Sequence, residues 1–130
     1  MAGRLTLSTL NNDTGVLAVQ NGMNGIAKAW VNFNGTGTVA IRDSFNVSSI
    51  TDNGTGRYTI NFTTAMPNAN YGASVSISSM PAVSDANLVS TDCTNTVRTN
   101  PTTSAFSITT FSAQFNALDI EFVRVTIFSS

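Results

Sequence analysis

The sequence predicts an all-β protein, an antiparallel β-sandwich of jelly-roll-like type. Short runs of alternating apolar and polar residues recur along the chain, and turn-forming Asn, Asp, Gly and Pro residues separate them. No run shows a helical period of useful length, which excludes a mainly helical fold. With 130 residues, the chain is long enough for one domain with a substantial core.

The stretch from Trp30 to Phe62 predicts two successive β-hairpins. The first hairpin pairs Ala29–Phe33 with Val39–Val47, and the second pairs Ser48–Thr51 with Arg57–Phe62. Each connection contains an Asn-Gly pair, the strongest short-range hairpin signal, because both residues accept the positive φ of tight turns. In the last run, alternate residues are aromatic or aliphatic, which predicts one buried and one solvated face.

Residues 1–25 are predicted to form a short β-stem or edge strands ahead of a β-sandwich head domain that spans residues 26–130. Apolar and polar residues alternate in Leu5–Leu10, and Val16–Val19 is a second short apolar run. Two short strands cannot bury a core alone, so they must join the sandwich or pack against neighbouring chains. An ordinary amino-terminal hairpin of the same domain is an equally good alternative.

Further strands are predicted over Tyr71–Ile77, Phe106–Phe111 and Leu118–Phe128. The last of these carries large apolar side chains on both faces, whereas a strand of an antiparallel sandwich normally keeps one polar face. A second subunit would cover the extra apolar face, and a covering loop from the same chain is the alternative. The oligomer-interface candidates are Phe122, Val123, Val125, Ile127 and Phe128.

The composition argues against several partners. Hydrophobic residues make up 42% and charged residues 10%, with a net charge of −1, so nucleic acid is not expected as a partner. Membrane insertion is not expected, because no stretch approaches the ~20 apolar residues of a transmembrane helix.

Cys93 is the single cysteine, which excludes an intramolecular disulfide. The start lacks the apolar core of a secretory signal, which favours a cytoplasmic product or a fragment of a longer protein.

No catalytic, metal or cofactor site is predicted. The chain has no His and one Cys, which removes the usual triads and zinc sites. Asp119 and Glu121 would lie about 7 Å apart if strand-paired, a spacing that a polysaccharide depolymerase could use. A solvated strand edge is the better interpretation of this pair, and the protein is not expected to be an enzyme.

Two segments carry a resemblance to a known family. They read AKAWVNFNGTGTVAIR and FNVSSITDNGTGRYTINFTTAMPNANY, and the likeness is close over Ile26 to Ile77. The region resembles a module near the carboxyl ends of bacteriophage tail-fibre and related virion proteins. The resemblance implies a homotrimeric head domain of a tail fibre, assembled in the host cytoplasm and carried on the virion. Its partners would be a bacterial surface glycan or protein and other virion proteins. A purely structural virion part, such as a decoration or connector protein, is the alternative.

Receptor-binding residues are expected in loops that a rigid sandwich displays. Tyr71 is the first candidate for stacking on a sugar ring, because Asn68 and Asn70 flank it after a Pro-containing loop. Trp30 is assigned a packing role, since Val31 and Phe33 adjoin it. The receptor-binding candidates are Asn68, Asn70, Tyr71, Asp85, Asn87, Asp92, Asn95 and Arg98.

Overall fold

The computed structural model of the protein describes residues 3, 6, 8–12, 15–18, 23–78, 88–90, 100–112 and 116–129. Within these residues the chain forms the strands β1 Thr9–Asn12, β2 Gly15–Ala18, β3 Ala27–Asn34, β4 Ala40–Phe45, β5 Val47–Asp52, β6 Arg57–Phe62, β7 Gly72–Ser78, β8 Leu88–Ser90, β9 Ala105–Phe111 and β10 Phe122–Phe128. Sheet I has the strand order β4-β3-β10-β7, and sheet II has the order β5-β6-β9-β8. All described strand pairs are antiparallel.

Both predicted hairpins are confirmed as the pairs β3–β4 and β5–β6. In the second hairpin, Gly54 has φ 108° and its N–H donates to Asp52 Oδ1 at 2.9 Å. In the first, Asn34 Oδ1 accepts from the backbone N–H of Thr36 at 3.2 Å. Short polar side chains and glycine therefore close both turns by local hydrogen bonds.

Asn46 carries the chain from sheet I to sheet II. It has φ 56°, a left-handed conformation that Asn tolerates better than most residues. Its Nδ2 donates to the carbonyls of Lys28 and Thr64 at 3.0 and 3.1 Å, and its Oδ1 accepts from the N–H of Thr64 at 2.7 Å. These bonds allow β4 to end and β5 to begin in the opposite layer within one residue.

The core lies between the two sheets and is built mainly by their central strands. Phe33 of β3 meets Tyr58 of β6 edge to face, with ring centroids 5.1 Å apart. The buried apolar residues are Ala29, Val31, Phe33, Tyr58, Ile60, Phe62, Met66, Phe106, Ile108, Ile120, Val123, Val125 and Ile127. Two antiparallel sheets with their apolar faces together confirm the predicted β-sandwich.

The final strand differs in extent and surroundings from its prediction. It begins at Phe122 and not at Leu118, and it lies between β3 and β7 in sheet I. Val123, Val125 and Ile127 face sheet II and are at most 1% exposed, so their own chain already covers them. Of the five interface candidates, Phe122 and Phe128 remain on the solvent side of the sheet.

At the amino end, β1 and β2 form a two-stranded sheet separate from sheets I and II. The assignment of residues 1–25 as a stem stays a prediction. No helix in the described ranges is long and apolar enough to cross a membrane.

Candidate functional site

The outer side of sheet I carries aromatic and polar side chains in register. Trp30 of β3 lies opposite Phe45 of β4 and opposite Thr126 of β10. Two residues along, Asn32 lies opposite Asp43 and Arg124. We call this surface the aromatic face, and its members are Trp30, Asn32, Asp43, Phe45, Arg124 and Thr126. Directly paired residues share one side of a sheet, so these side chains form two adjacent rows.

Strand alternation explains why this surface is open. In β3, Ala29, Val31 and Phe33 are buried against sheet II, which leaves Trp30 and Asn32 on the other side. Both are half-buried, while Phe45 on the edge strand β4 is 54% exposed. The backbone beneath them is held on both sides by β4 and β10.

Asn32 occupies the centre of the polar row, and its Oδ1 atom is buried without a hydrogen-bond donor from any described residue. Such an atom is uncommon, because a buried polar atom without a partner costs about 1–3 kcal/mol. Asp43 and Arg124 flank Asn32 on neighbouring strands and make no ion pair with each other. The row therefore offers an anionic, an amide and a cationic group side by side.

One end of the aromatic face is closed by Phe122 and two arginines. The guanidinium of Arg42 lies 4.2 Å from the centre of the Phe122 ring, and that of Arg124 lies 5.4 Å away. Arg42 also donates to the carbonyl of Glu121 at 2.6 Å and approaches its carboxylate at 3.9 Å. Cation–π contacts of this kind contribute about 0.5–1 kcal/mol at exposed sites. The arginines thus cover Phe122 from within the same chain.

Tyr58 and Asp119 fix the segment that leads into β10. The Tyr58 hydroxyl donates to Asp119 Oδ1 and approaches the carbonyl of Gly35, both at 2.9 Å, and the N–H of Gly56 donates to Asp119 Oδ1 at 2.6 Å. Burial, and secondly the bond to Asp119, raises the pKa of Tyr58 well above its usual range. The N–H of Gly35 also donates to the carbonyl of Ile120 at 2.9 Å, so the turns of both hairpins are tied to Asp119 or Ile120.

Both residues of the acidic pair have partners within the chain. Asp119 accepts structural hydrogen bonds, and Glu121 lies beside Arg42. Neither residue belongs to β10, so the expected strand spacing does not apply. The described residues contain no group of three or more His, Cys, Asp or Glu side chains that could hold a metal ion.

The outer side of sheet II, unlike that of sheet I, carries hydroxyl and amide groups that bond to one another. Its central residue, Asn61, donates through Nδ2 to Ser49 Oγ at 3.0 Å and to Thr51 Oγ1 at 2.9 Å. Thr59 Oγ1 bonds with Ser107 Oγ at 3.0 Å. We call this surface the hydroxyl face, and its members are Ser49, Thr51, Thr59, Asn61 and Ser107. Its polar groups largely satisfy one another.

The structure gives Tyr71 a packing environment. Its ring lies edge to face with Phe62 and Phe106, at centroid distances of 5.8 and 6.0 Å. Its hydroxyl lies 3.1 and 3.0 Å from the carbonyls of Thr102 and Ala105. Burial also raises the pKa of the Tyr71 hydroxyl. These contacts use Tyr71 to anchor the loop before β9 to the core.

The remaining loop candidates fall in two groups. Asn68 and Asn70 are exposed in the loop before β7, where Asn68 Oδ1 accepts from the N–H of Asn70 at 2.8 Å. The other candidates lie outside the described residues, namely Asp85, Asn87, Asp92, Asn95 and Arg98. Receptor binding by any of the loop candidates stays a prediction.

Sequence reasoning assigned Trp30 to packing and did not identify the aromatic face. The signal was present in the alternation of β3, where Ala29, Val31 and Phe33 occupy one side. Trp30 and Asn32 must then face the other side. The pairing of Trp30 with Phe45, and of Asn32 with Asp43 and Arg124, could not be found this way. It depends on a bulge between Asn32 and Phe33 and on the distant strand β10.

Comparisons with protein-family models, with curated proteins and with solved structures gave no match to this chain.

Proposed function

We propose that this chain is a host-adhesion domain of a bacteriophage tail fibre, which binds a glycan or a protein on the bacterial surface. The proposal includes a homotrimer that is assembled in the host cytoplasm and carried on the virion. Binding is its whole activity, with no chemical step, cofactor or metal.

The observation that carries the proposal is the exposed apolar surface around sheet I. Phe45, Phe128, Met23 and Ile26 are 54%, 39%, 53% and 62% exposed. Phe45 ends β4, Phe128 ends β10, and Ile26 precedes β3, so these three lie at one end of the sheet. Grouped exposed apolar residues are typical of surfaces that bind another molecule.

Two further features support an adhesion role over an enzymatic one. The aromatic face lies on three neighbouring hydrogen-bonded strands of a sandwich, the edge strand β4 and the central strands β3 and β10, which form a rigid support for recognition. The two acidic residues that could serve a depolymerase are engaged with Tyr58, Gly56 and Arg42. The resemblance of Ile26 to Ile77 to tail-fibre modules supplies the virion context.

A second function is favoured by Met23 and Ile26. Both precede β3, where the chain enters the sandwich, and both are more than half exposed. Contacts there with other virion proteins would suit a purely structural virion part. In that case the domain would bind the assembled particle and would not bind cells.

The test is adsorption of the purified, labelled protein to a panel of bacterial strains, together with its absolute mass from light scattering on a sizing column. A mass of three chains and saturable adsorption to some strains are the expected results. A monodisperse single-chain mass without adsorption to any strain would contradict the adhesion proposal. A trimer that binds only virion proteins would favour the structural alternative.

A further inference from the structure

We infer that the aromatic face is a saccharide-binding site, in which Trp30 and Phe45 contact a sugar ring and Asn32, Asp43 and Arg124 bind its hydroxyl groups. This inference rests on the proposed adhesion function and names the ligand class and its contact residues.

The aromatic row gives the site its apolar part. Trp30 and Phe45 are directly opposed across β3 and β4, and both lie on the solvent side of sheet I. Opposed residues in an antiparallel pair have Cβ atoms about 4.5–5.5 Å apart, so the two aromatic side chains start from neighbouring positions on this face. The apolar C–H face of a sugar ring matches such a surface, and the N–H of the indole adds a polar edge.

The polar row selects a ligand that both donates and accepts hydrogen bonds. Asp43 accepts, Arg124 donates, and the amide of Asn32 can do either. Asp43 and Arg124 carry opposite charges, so the row has no net charge. They do not form an ion pair with each other, so both charged groups are available to a ligand. A polyhydroxylated, neutral ligand suits this arrangement better than an anion or a cation.

Asn32 is the observation that points to a missing partner. Its Oδ1 accepts no hydrogen bond from a described residue, although it is buried. Rotation of the amide by half a turn exchanges Oδ1 and Nδ2 and sacrifices no bond of that oxygen. In that orientation the oxygen takes the position of Nδ2, which is not a buried atom without a partner, and a ligand hydroxyl can donate to it there. The corresponding amide on the opposite side of the molecule, Asn61, is already held by two hydroxyl groups.

Trp30 makes the site directly observable, because it is the single tryptophan of the chain. Stacking of a sugar on its ring must alter the indole emission and shield it from a soluble quencher. The experiment screens the intact protein against an array of bacterial surface polysaccharides. The best-binding polysaccharide is then titrated while the Trp30 emission is followed.

Three variants complete the design. Trp30→Ala and Asn32→Ala are each expected to weaken binding by about tenfold or more, the loss typical of a central contact residue. Asn61→Ala is the matched control, since it removes the same side-chain type from the hydroxyl face and should leave the affinity unchanged. Light scattering of each variant checks that its mass equals that of the unmodified protein.

Each contrary result has a distinct meaning. Polysaccharide binding that persists in Trp30→Ala, or that leaves the Trp30 emission unchanged, overturns this site but leaves the adhesion function standing. Adsorption to cells without binding to any polysaccharide overturns the saccharide class alone. A lower mass for Trp30→Ala identifies the face as a subunit contact and also overturns the site. Failure of both array binding and cell adsorption overturns the site and the function together.

Discussion

The two outer faces of the sandwich use polar residues in opposite ways. On the hydroxyl face, Asn61 bonds to Ser49 and Thr51, and Thr59 bonds to Ser107. On the aromatic face, the central amide of Asn32 has an unpartnered oxygen, in the row next to the half-buried Trp30 and the exposed Phe45. A surface whose groups satisfy one another serves stability, whereas a surface with unmet hydrogen-bonding capacity is suited to binding another molecule.

The two faces also differ in their content of aromatic side chains. The aromatic face contains Trp30 and Phe45, and it ends at Phe122 beneath two guanidinium groups. The five members of the hydroxyl face contain no aromatic ring, and the aromatic residues of β6 all point inward. The difference implies that changes on the hydroxyl face should reduce stability, while changes on the aromatic face should reduce binding.

The largest effect is expected at Phe33, which lies on the inner side of the strand that carries Trp30. Phe33→Ala removes a fully buried ring that packs on Tyr58. It should lower the free energy of unfolding by about 3–5 kcal/mol, measured by denaturant titration. Trp30→Ala, on the outer side, should cost less than half as much. Equal losses for the two variants would show that Trp30 belongs to the structural core.

A smaller loss is expected when the contact that fixes the segment before β10 is weakened. Tyr58→Phe removes the hydroxyl that bonds to Asp119, and should lower the free energy of unfolding by about 1–3 kcal/mol at neutral pH. Its binding to polysaccharide should change little, because Tyr58 does not contact the aromatic face. A large loss of binding in a folded Tyr58→Phe protein would contradict that separation.

The same residue makes stability depend on alkaline pH. The pKa of Tyr58 is raised in the folded state above its ordinary value of 10.0, so the folded protein holds the phenolic proton more tightly than the unfolded chain does. The stabilisation is complete below pH 10 and is lost as the pH rises towards the folded pKa. The expected slope is up to about 1.4 kcal/mol per pH unit. Denaturant titrations should show this decline in the natural protein and a smaller one in Tyr58→Phe.

A loss of about 1–2 kcal/mol is expected on the hydroxyl face. Asn61→Ala removes the two side-chain hydrogen bonds to Ser49 and Thr51. Thermal or denaturant unfolding would measure the loss, and the array would show unchanged binding. Stability equal to that of the natural protein would mean that these bonds merely replace bonds to water.

The smallest effect on stability is expected at Asn32. Asn32→Ala removes a polar atom that has no described partner, so the free energy of unfolding should stay within about 0.5 kcal/mol of its original value or rise slightly. The contrast with Asn61→Ala is the sharpest test of the comparison between the faces. If Asn32→Ala lowered the free energy of unfolding as much as Asn61→Ala does, the Asn32 side chain would have to form stabilising hydrogen bonds, contrary to the comparison between the two faces.

The sequence by itself determined the fold class and most of the strands. The Asn-Gly turns and the alternation in Arg57–Phe62 predicted the second hairpin and its inward residues, which the structure confirms. These signals are local, because turn conformation and side-chain alternation depend on neighbours within a few residues. Side-chain alternation, applied to β3, would have placed Trp30 on the solvent side of sheet I.

Only the tertiary structure decided what covers each apolar side chain. Val123, Val125 and Ile127 looked like a subunit interface until sheet II was found across from them. Phe62 and Phe106 lie against the ring of Tyr71, which the residues around Tyr71 in the sequence do not reveal. Contacts between residues far apart in the chain depend on strand order, which local patterns do not encode. The aromatic face arises in the same way, because strands distant in the sequence bring its two rows together.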